Sequence, residues 1–168
     1  PEDLRPRITA FLARVAAITA PALAGLSRQV IHGDFNPHNL LAEPADPTRL
    51  TGILDFVDMT LSHRICDLAV AASYLIEPAD PPALLVPLTR AYHQTNPLTE
   101  NEIRLLPDLI TARLATTLTI TAWRAARYPE NAAYILRNAP TSRAGLDALT
   151  DPASLTDSLL NACESTNP

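Results

Sequence analysis

No lysine occurs in these 168 residues; all thirteen basic side chains are arginine. The chain does not begin with methionine, and Met59 is its single one. Together these two absences predict a piece of a larger protein. Glycine is scarce, with four residues. That leaves no glycine-rich loop and favours helix over a turn-rich β fold. Cysteine is limited to Cys66 and Cys163, which lie far apart and form no C-x-x-C pair. A zinc ribbon or dithiol redox motif is thereby excluded, and two buried thiols in a reducing cytoplasm are expected. No apolar run reaches the roughly 18 residues of a membrane span. The start, PEDLRPR, is acidic and proline-bearing, unlike a signal peptide. Positive charge is in deficit: the net charge is −5 and the pI about 5.3. That argues against nucleic acid, which calls for basic patches.

What is present is apolar and helix-forming. Apolar residues make up 47% of the chain, with alanine and leucine dominant. Residues 1–168 therefore read as a single domain with a sizeable core. Leu4, Ile8, Phe11, Leu12, Val15 and Ile18 keep the spacing of an amphipathic helix, which Pro21 and Gly25 should break. From about residue 63 everything reads as helix. RICDLAVAASYLI is expected to be a core helix, and PPALLVPLTRAYHQT a helix kinked at Pro87. Thr99 and Glu102 form a capping box that opens a long helix to about Tyr128, split or bent early by Pro107. Asp151 and Pro152 suit the start of the last helix.

Between the first helix and residue 63 lies a small β region. QVIHG reads as a short buried strand, HNLLAE as a second, and LTGILDF as a third. The second and third form a hairpin around the loop EPADPTR. The fold class is thus mainly α, with a two- to three-stranded sheet. The sheet carries a polar loop, VIHGDFNPHNLL, that holds His32, Asp34, Asn36, His38 and Asn39. Asp55 and Asp58 end the next strand. Strands presenting polar loops are a common site architecture.

Phosphoryl transfer suits this cluster. It needs a carboxylate to orient and deprotonate the attacking hydroxyl, and Mg²⁺ to neutralise phosphate oxygens. Kinase catalytic loops supply the base as Asp and a metal ligand as Asn five residues on. Asp34 and Asn39 have that spacing, and Asp55-Phe56 follows one strand later. A carboxylate and an amide oxygen meet the demand of a hard cation.

VIHGDFNPHNLL, GILDFVDM and CDLAVA together resemble the catalytic lobe of the aminoglycoside phosphotransferase and choline kinase family. Within it they are most similar to the hydroxylysine kinase-like branch. The resemblance implies a protein-kinase-like C-terminal lobe, ATP and Mg²⁺ as cofactors, and a small-molecule hydroxyl as acceptor. Hydroxylysine, choline, an aminoglycoside and homoserine all fit that description. It further implies Asp34 as catalytic base, Asn39 and Asp55 as magnesium ligands, and His32 as a brace for the backbone around Asp55. Asp67 matches the family's structural aspartate, and also suits a plain helix N-terminal acid.

The chain departs from the pattern in three places. Gly33 stands where protein kinases have an arginine that reads activation-loop phosphorylation, so such control is not expected. Val57 stands where a glycine would follow Asp-Phe. No lysine is available for the α/β-phosphates. The chain thus reads as the C-terminal lobe without its N-terminal nucleotide-binding lobe, and inactive alone.

Further candidates are open. Arg113 or Arg124 would hold a substrate carboxylate, and Trp123 would stack on a cation. The plainer alternative packs Trp123 in the core and leaves the arginines solvated. Asp58 either binds a substrate ammonium or shapes its turn. Two rival functions stand beside the kinase. One is a metal-dependent hydrolase with His32, Asp34, His38 and Asp55 as ligands. The other is a non-catalytic, pseudokinase-type interaction module.

Overall fold

A short 3-10 turn, Glu2–Leu4, leads into helix α1 (Arg5–Arg14) in a computed structural model that describes residues 2–164. Pro21 does not end this helix as expected. The backbone widens into a π turn over Val15–Thr19 and continues as α2 (Ala20–Leu23). A proline inside a helix lacks an N–H and crowds the carbonyl four residues back. The wider turn just ahead of Pro21 makes room, with Ala20 N–H reaching Val15 O.

Four short strands follow: β1 (Arg28–Ile31), β2 (Leu40–Glu43), β3 (Asp46–Ile53) and β4 (Thr60–His63). They form two antiparallel pairs rather than one sheet, β1 with β4 and β2 with β3. The expected β2–β3 hairpin is present, but its turn is only Pro44–Ala45. Asp46–Arg49, expected as loop, already belongs to β3. Register shifts on either side of Ala42 leave Pro47 in an irregular stretch, where its missing N–H interrupts no ladder bond. β4 was not anticipated. It pairs from Arg28↔His63 to Ile31↔Thr60 and so returns the chain to the first strand.

Helices fill the rest: α3 (Arg64–Ser73), α4 (Pro82–Thr95), α5 (Glu100–Arg127), α6 (Ala132–Ile135), α7 (Ala139–Ala148) and α8 (Pro152–Glu164). Pro107 neither splits nor ends α5, which runs unbroken for 28 residues. Pro87 likewise lies within α4. The core forms around α5, whose Ile103, Leu106, Ile110, Leu114 and Leu118 repeat every three to four residues on one buried face. Against them pack Ile65 and Leu68 of α3, Leu146 of α7, and Leu155 and Leu159 of α8. Cys163 is buried as expected, whereas Cys66 is only partly so; burial pushes both thiols up.

Two polar fastenings fix the helices that carry the site. The Thr99–Glu102 capping box is present. Arg64, opening α3, grips Glu102 with two bonds of 2.7 Å and also reaches Asn96 Oδ1 and Pro97 O. Burial pushes the Glu102 carboxyl up, but the bonds from Arg64 and Thr99 outweigh it and hold its pKa below the ordinary 4.5. Buried Asp108, further along α5, accepts Thr19 Oγ1 at 2.8 Å and Arg14 Nε at 3.1 Å, which moors the N-terminal helices. No helix among the described residues is long and apolar enough to cross a membrane.

Candidate active site

Asp34 leaves the end of β1 on a loop that its neighbours hold rigidly. Asn36 Nδ2 donates to the Asp34 carbonyl at 2.9 Å and to Oδ2 at 3.0 Å. Asn39 Nδ2 donates to the same two atoms, at 2.9 and 3.3 Å. Asn36 is itself buried and accepts the His38 N–H, an Asx turn that opens the 3-10 turn Pro37–Asn39. The other carboxylate oxygen, Oδ1, accepts Arg113 Nη2 of α5 at 2.5 Å. Asp34 is thus oriented through both oxygens.

The β2–β3 hairpin brings the second acidic turn alongside. Leu40 pairs with Ile53, and one step further the Leu54 N–H donates to Asn39 O at 2.8 Å. The Leu54 carbonyl meets His32 Nε2 at 2.9 Å. The other ring nitrogen, Nδ1, accepts the Asp34 N–H at 3.3 Å. This sets the tautomer, with the proton on Nε2. Leu54 therefore locks Asp55 to Asn39 on one side and to the His32–Asp34 segment on the other. His32 is 8% exposed, between the rings of Phe35 and Phe56.

Asp55 has φ 61° and ψ 67°, the left-handed region, and it is the single non-glycine residue with positive φ among those described. That conformation is costly for most side chains and clusters at functional sites. Its carboxylate is exposed and has no hydrogen-bond or ion-pair partner among the described residues. Asp58 ends the 3-10 turn that follows, and its backbone carbonyl packs against Gly33. Val57 lies in the same turn, 89% exposed. Asp67, in the first turn of α3, accepts the backbone N–H groups of His32 and Gly33 at 3.1 and 3.0 Å.

The structure therefore gathers His32, Asp34, Asn39, Asp55 and Asp67 around one loop, with Arg113 against it. Trp123 and Arg124 are not there. They lie roughly 15 Å further along α5 at 1.5 Å per residue. Trp123 is 64% exposed, so it is neither core nor part of this loop. The metal-ligand set proposed for a hydrolase fails on geometry. Both nitrogens of His32 are used within the protein. His38 is exposed and stands edge-on to Tyr74 instead. Among the described residues no group of three or more His, Cys, Asp or Glu side chains is placed to hold a metal ion. Asn36 was not singled out as a site residue from the sequence, although Asn-Pro is a turn signal that marks it.

A model of the phosphotransferase enzyme family matches residues 1–106, which include the whole loop and the Asp55 turn. The chain belongs to the phosphotransferase enzyme family. It is similar to the hydroxylysine kinase of Danio rerio, 35% identical over 129 residues, 75% of this chain and 36% of that protein. It is also similar to that of Xenopus laevis, 28% identical over 157 residues, 89% of this chain and 42% of that protein. With the Mus musculus hydroxylysine kinase the identity is 30% over 127 residues, 71% of this chain and 34% of that protein. The chain thus spans between about a third and two-fifths of the curated relatives it matches. Within the family, the expected mainly helical lobe with small antiparallel sheets is what the structure has.

Proposed function

We propose that this lobe carries the catalytic loop of an ATP- and magnesium-dependent kinase that phosphorylates a hydroxyl of a small, amine-bearing molecule, hydroxylysine foremost. The observation that carries the reading is the double lock on Asp34 and Asp55 through Asn39 and Leu54. Asp34 is the base that orients the acceptor hydroxyl and takes its proton. Asn36 and Asn39 fix its rotamer, so no reorganisation is needed when the hydroxyl arrives. His32 acts through Leu54, holding the turn on which Asp55 stands.

The oxygen donors suit Mg²⁺. Asn39 uses its amide nitrogen on Asp34, which leaves the amide oxygen, and Asp55 offers an unpartnered carboxylate. Those two residues would hold the ion, whose chemistry is to neutralise charge on the phosphate oxygens. On this reading the phosphate-gripping lysine, which these residues lack, is supplied by an N-terminal lobe beyond them. Exposed Val30, Leu41, Leu50, Phe56, Val57 and Leu61 on the β region support such a partner surface.

The test is phosphate transfer from ATP to hydroxylysine by the full-length protein, wild type against Asp34→Asn. Turnover should fall by roughly 10²- to 10⁴-fold, with ATP binding kept. Unchanged turnover would remove Asp34 from the mechanism. Residues 1–168 alone should turn over negligibly; robust activity would overturn the need for a second lobe.

A further inference from the structure

The guanidinium of Arg113 is only partly used. Of its five N–H donors one, on Nη2, is bonded, to Asp34 Oδ1. Its Nε–H is buried and has no partner. A buried donor left unpaired costs about 1–3 kcal/mol, so its retention calls for a reason. The side chain as a whole is 29% exposed and opens onto the loop. Arg113 also lies beyond the stretch that the family model matches, on α5 rather than on the shared loop.

We infer that Arg113 binds the carboxylate of the acceptor, and that the substrate class is therefore a hydroxy amino acid rather than a simple amino alcohol. This rests on the kinase reading above. The two oxygens of Asp34 divide the site. Asn36 and Asn39 approach Oδ2, while Arg113 approaches Oδ1. Arg113 thus stands beside Asp34, the base to which the acceptor hydroxyl comes on that reading. Its fork matches a carboxylate in two parallel bonds, with a specificity that a lysine point charge lacks. Choline and aminoglycosides have no carboxylate to offer it. Asp34 holds Arg113 in place while the site is empty; a bound carboxylate takes up donors of the two Nη groups, and Asp34 keeps its geometry through the asparagines.

The test compares hydroxylysine with its carboxamide, which keeps the hydroxyl and both amines. It uses full-length protein, wild type, Arg113→Lys and Arg113→Gln. Steady-state kinetics and calorimetric binding are both read. The wild type should favour the acid through KM and Kd by roughly 10- to 100-fold. Both variants should lose that preference, with Arg113→Lys a control for folding and for charge beside Asp34. A wild type that binds acid and amide equally would overturn the inference, as would a preference that survives in Arg113→Gln. An equal fall in kcat for both acceptors, with the preference intact, would assign Arg113 to the transferred phosphoryl group and overturn it too. An acid that binds through Arg113 but is never phosphorylated would keep this inference and sink the kinase reading.

Discussion

The carboxylate of Asp67 bridges the backbone N–H groups of His32 and Gly33, reaching back from α3 to the loop some thirty residues earlier in the chain. Two charge-assisted bonds to backbone donors hold the Asp34 loop against the helical core. Asp67→Asn keeps the size but offers one acceptor oxygen and no charge. Stability should fall by about 1–3 kcal/mol, read by urea denaturation. The kcat of the full-length enzyme should fall with little change in KM, because the loop rather than a substrate contact is loosened. An unchanged denaturation midpoint would show that the bridge is dispensable.

Under the proposed function, Asp55 sets stability against activity. Its left-handed backbone suits glycine, and an aspartate there is strained. Asp55→Gly should therefore stabilise the fold by up to about 1 kcal/mol and abolish turnover. Opposite signs in melting temperature and activity are the diagnostic outcome. A destabilised Asp55→Gly would mean that the carboxylate supports the fold.

Glu102 ties acid stability to the Arg64 clamp. Its pKa is lowered on folding, so it contributes stability above its ordinary pKa of 4.5, and that stability is lost as pH falls through the lower folded value. Glu102→Gln should flatten the pH dependence of unfolding below about pH 4.5 and weaken the protein at pH 7. Arg64→Ala leaves a carboxylate that is 1% exposed without its partner. It should cost about 3–5 kcal/mol. A wild-type acid transition that persists unchanged in Glu102→Gln would assign it to other carboxylates.

What was legible in the sequence was local. The Asp34–Asn39 spacing, the capping box at Thr99, the β2–β3 hairpin and the boundaries of α3 and α5 each follow from residues a few positions apart. What escaped it depends on distant partners. The four residues of β4 show no alternation of their own; they are strand because β1 supplies the ladder. Arg113 and Arg124 are equal candidates in the sequence, and only the packing of α5 against the loop sets Arg113 rather than Arg124 beside Asp34. Trp123 sits near the C-terminal end of α5, past the buried face that ends at Leu118. Pro21 is tolerated because the helix widens ahead of it, a backbone response that propensity does not describe.

Gly33 and Gly25 form a matched pair for a last test. Gly33 has φ +82°, and a methyl group there would stand 2.5 Å from the Asp58 carbonyl oxygen. Gly33→Ala must pay for the left-handed backbone, about 1–2 kcal/mol, and also displace the turn that carries Asp55 and Asp58. Gly25 has ordinary space, with its nearest neighbour, the Ala22 carbonyl oxygen, at 3.9 Å. Gly25→Ala should be neutral or gain about 0.4–1 kcal/mol by restricting the unfolded chain. In the full-length enzyme Gly33→Ala should lower kcat and melting temperature together, while Gly25→Ala leaves kcat alone. Equal behaviour of the two variants would show that the Gly33–Asp58 contact does not set the geometry of the acidic turn.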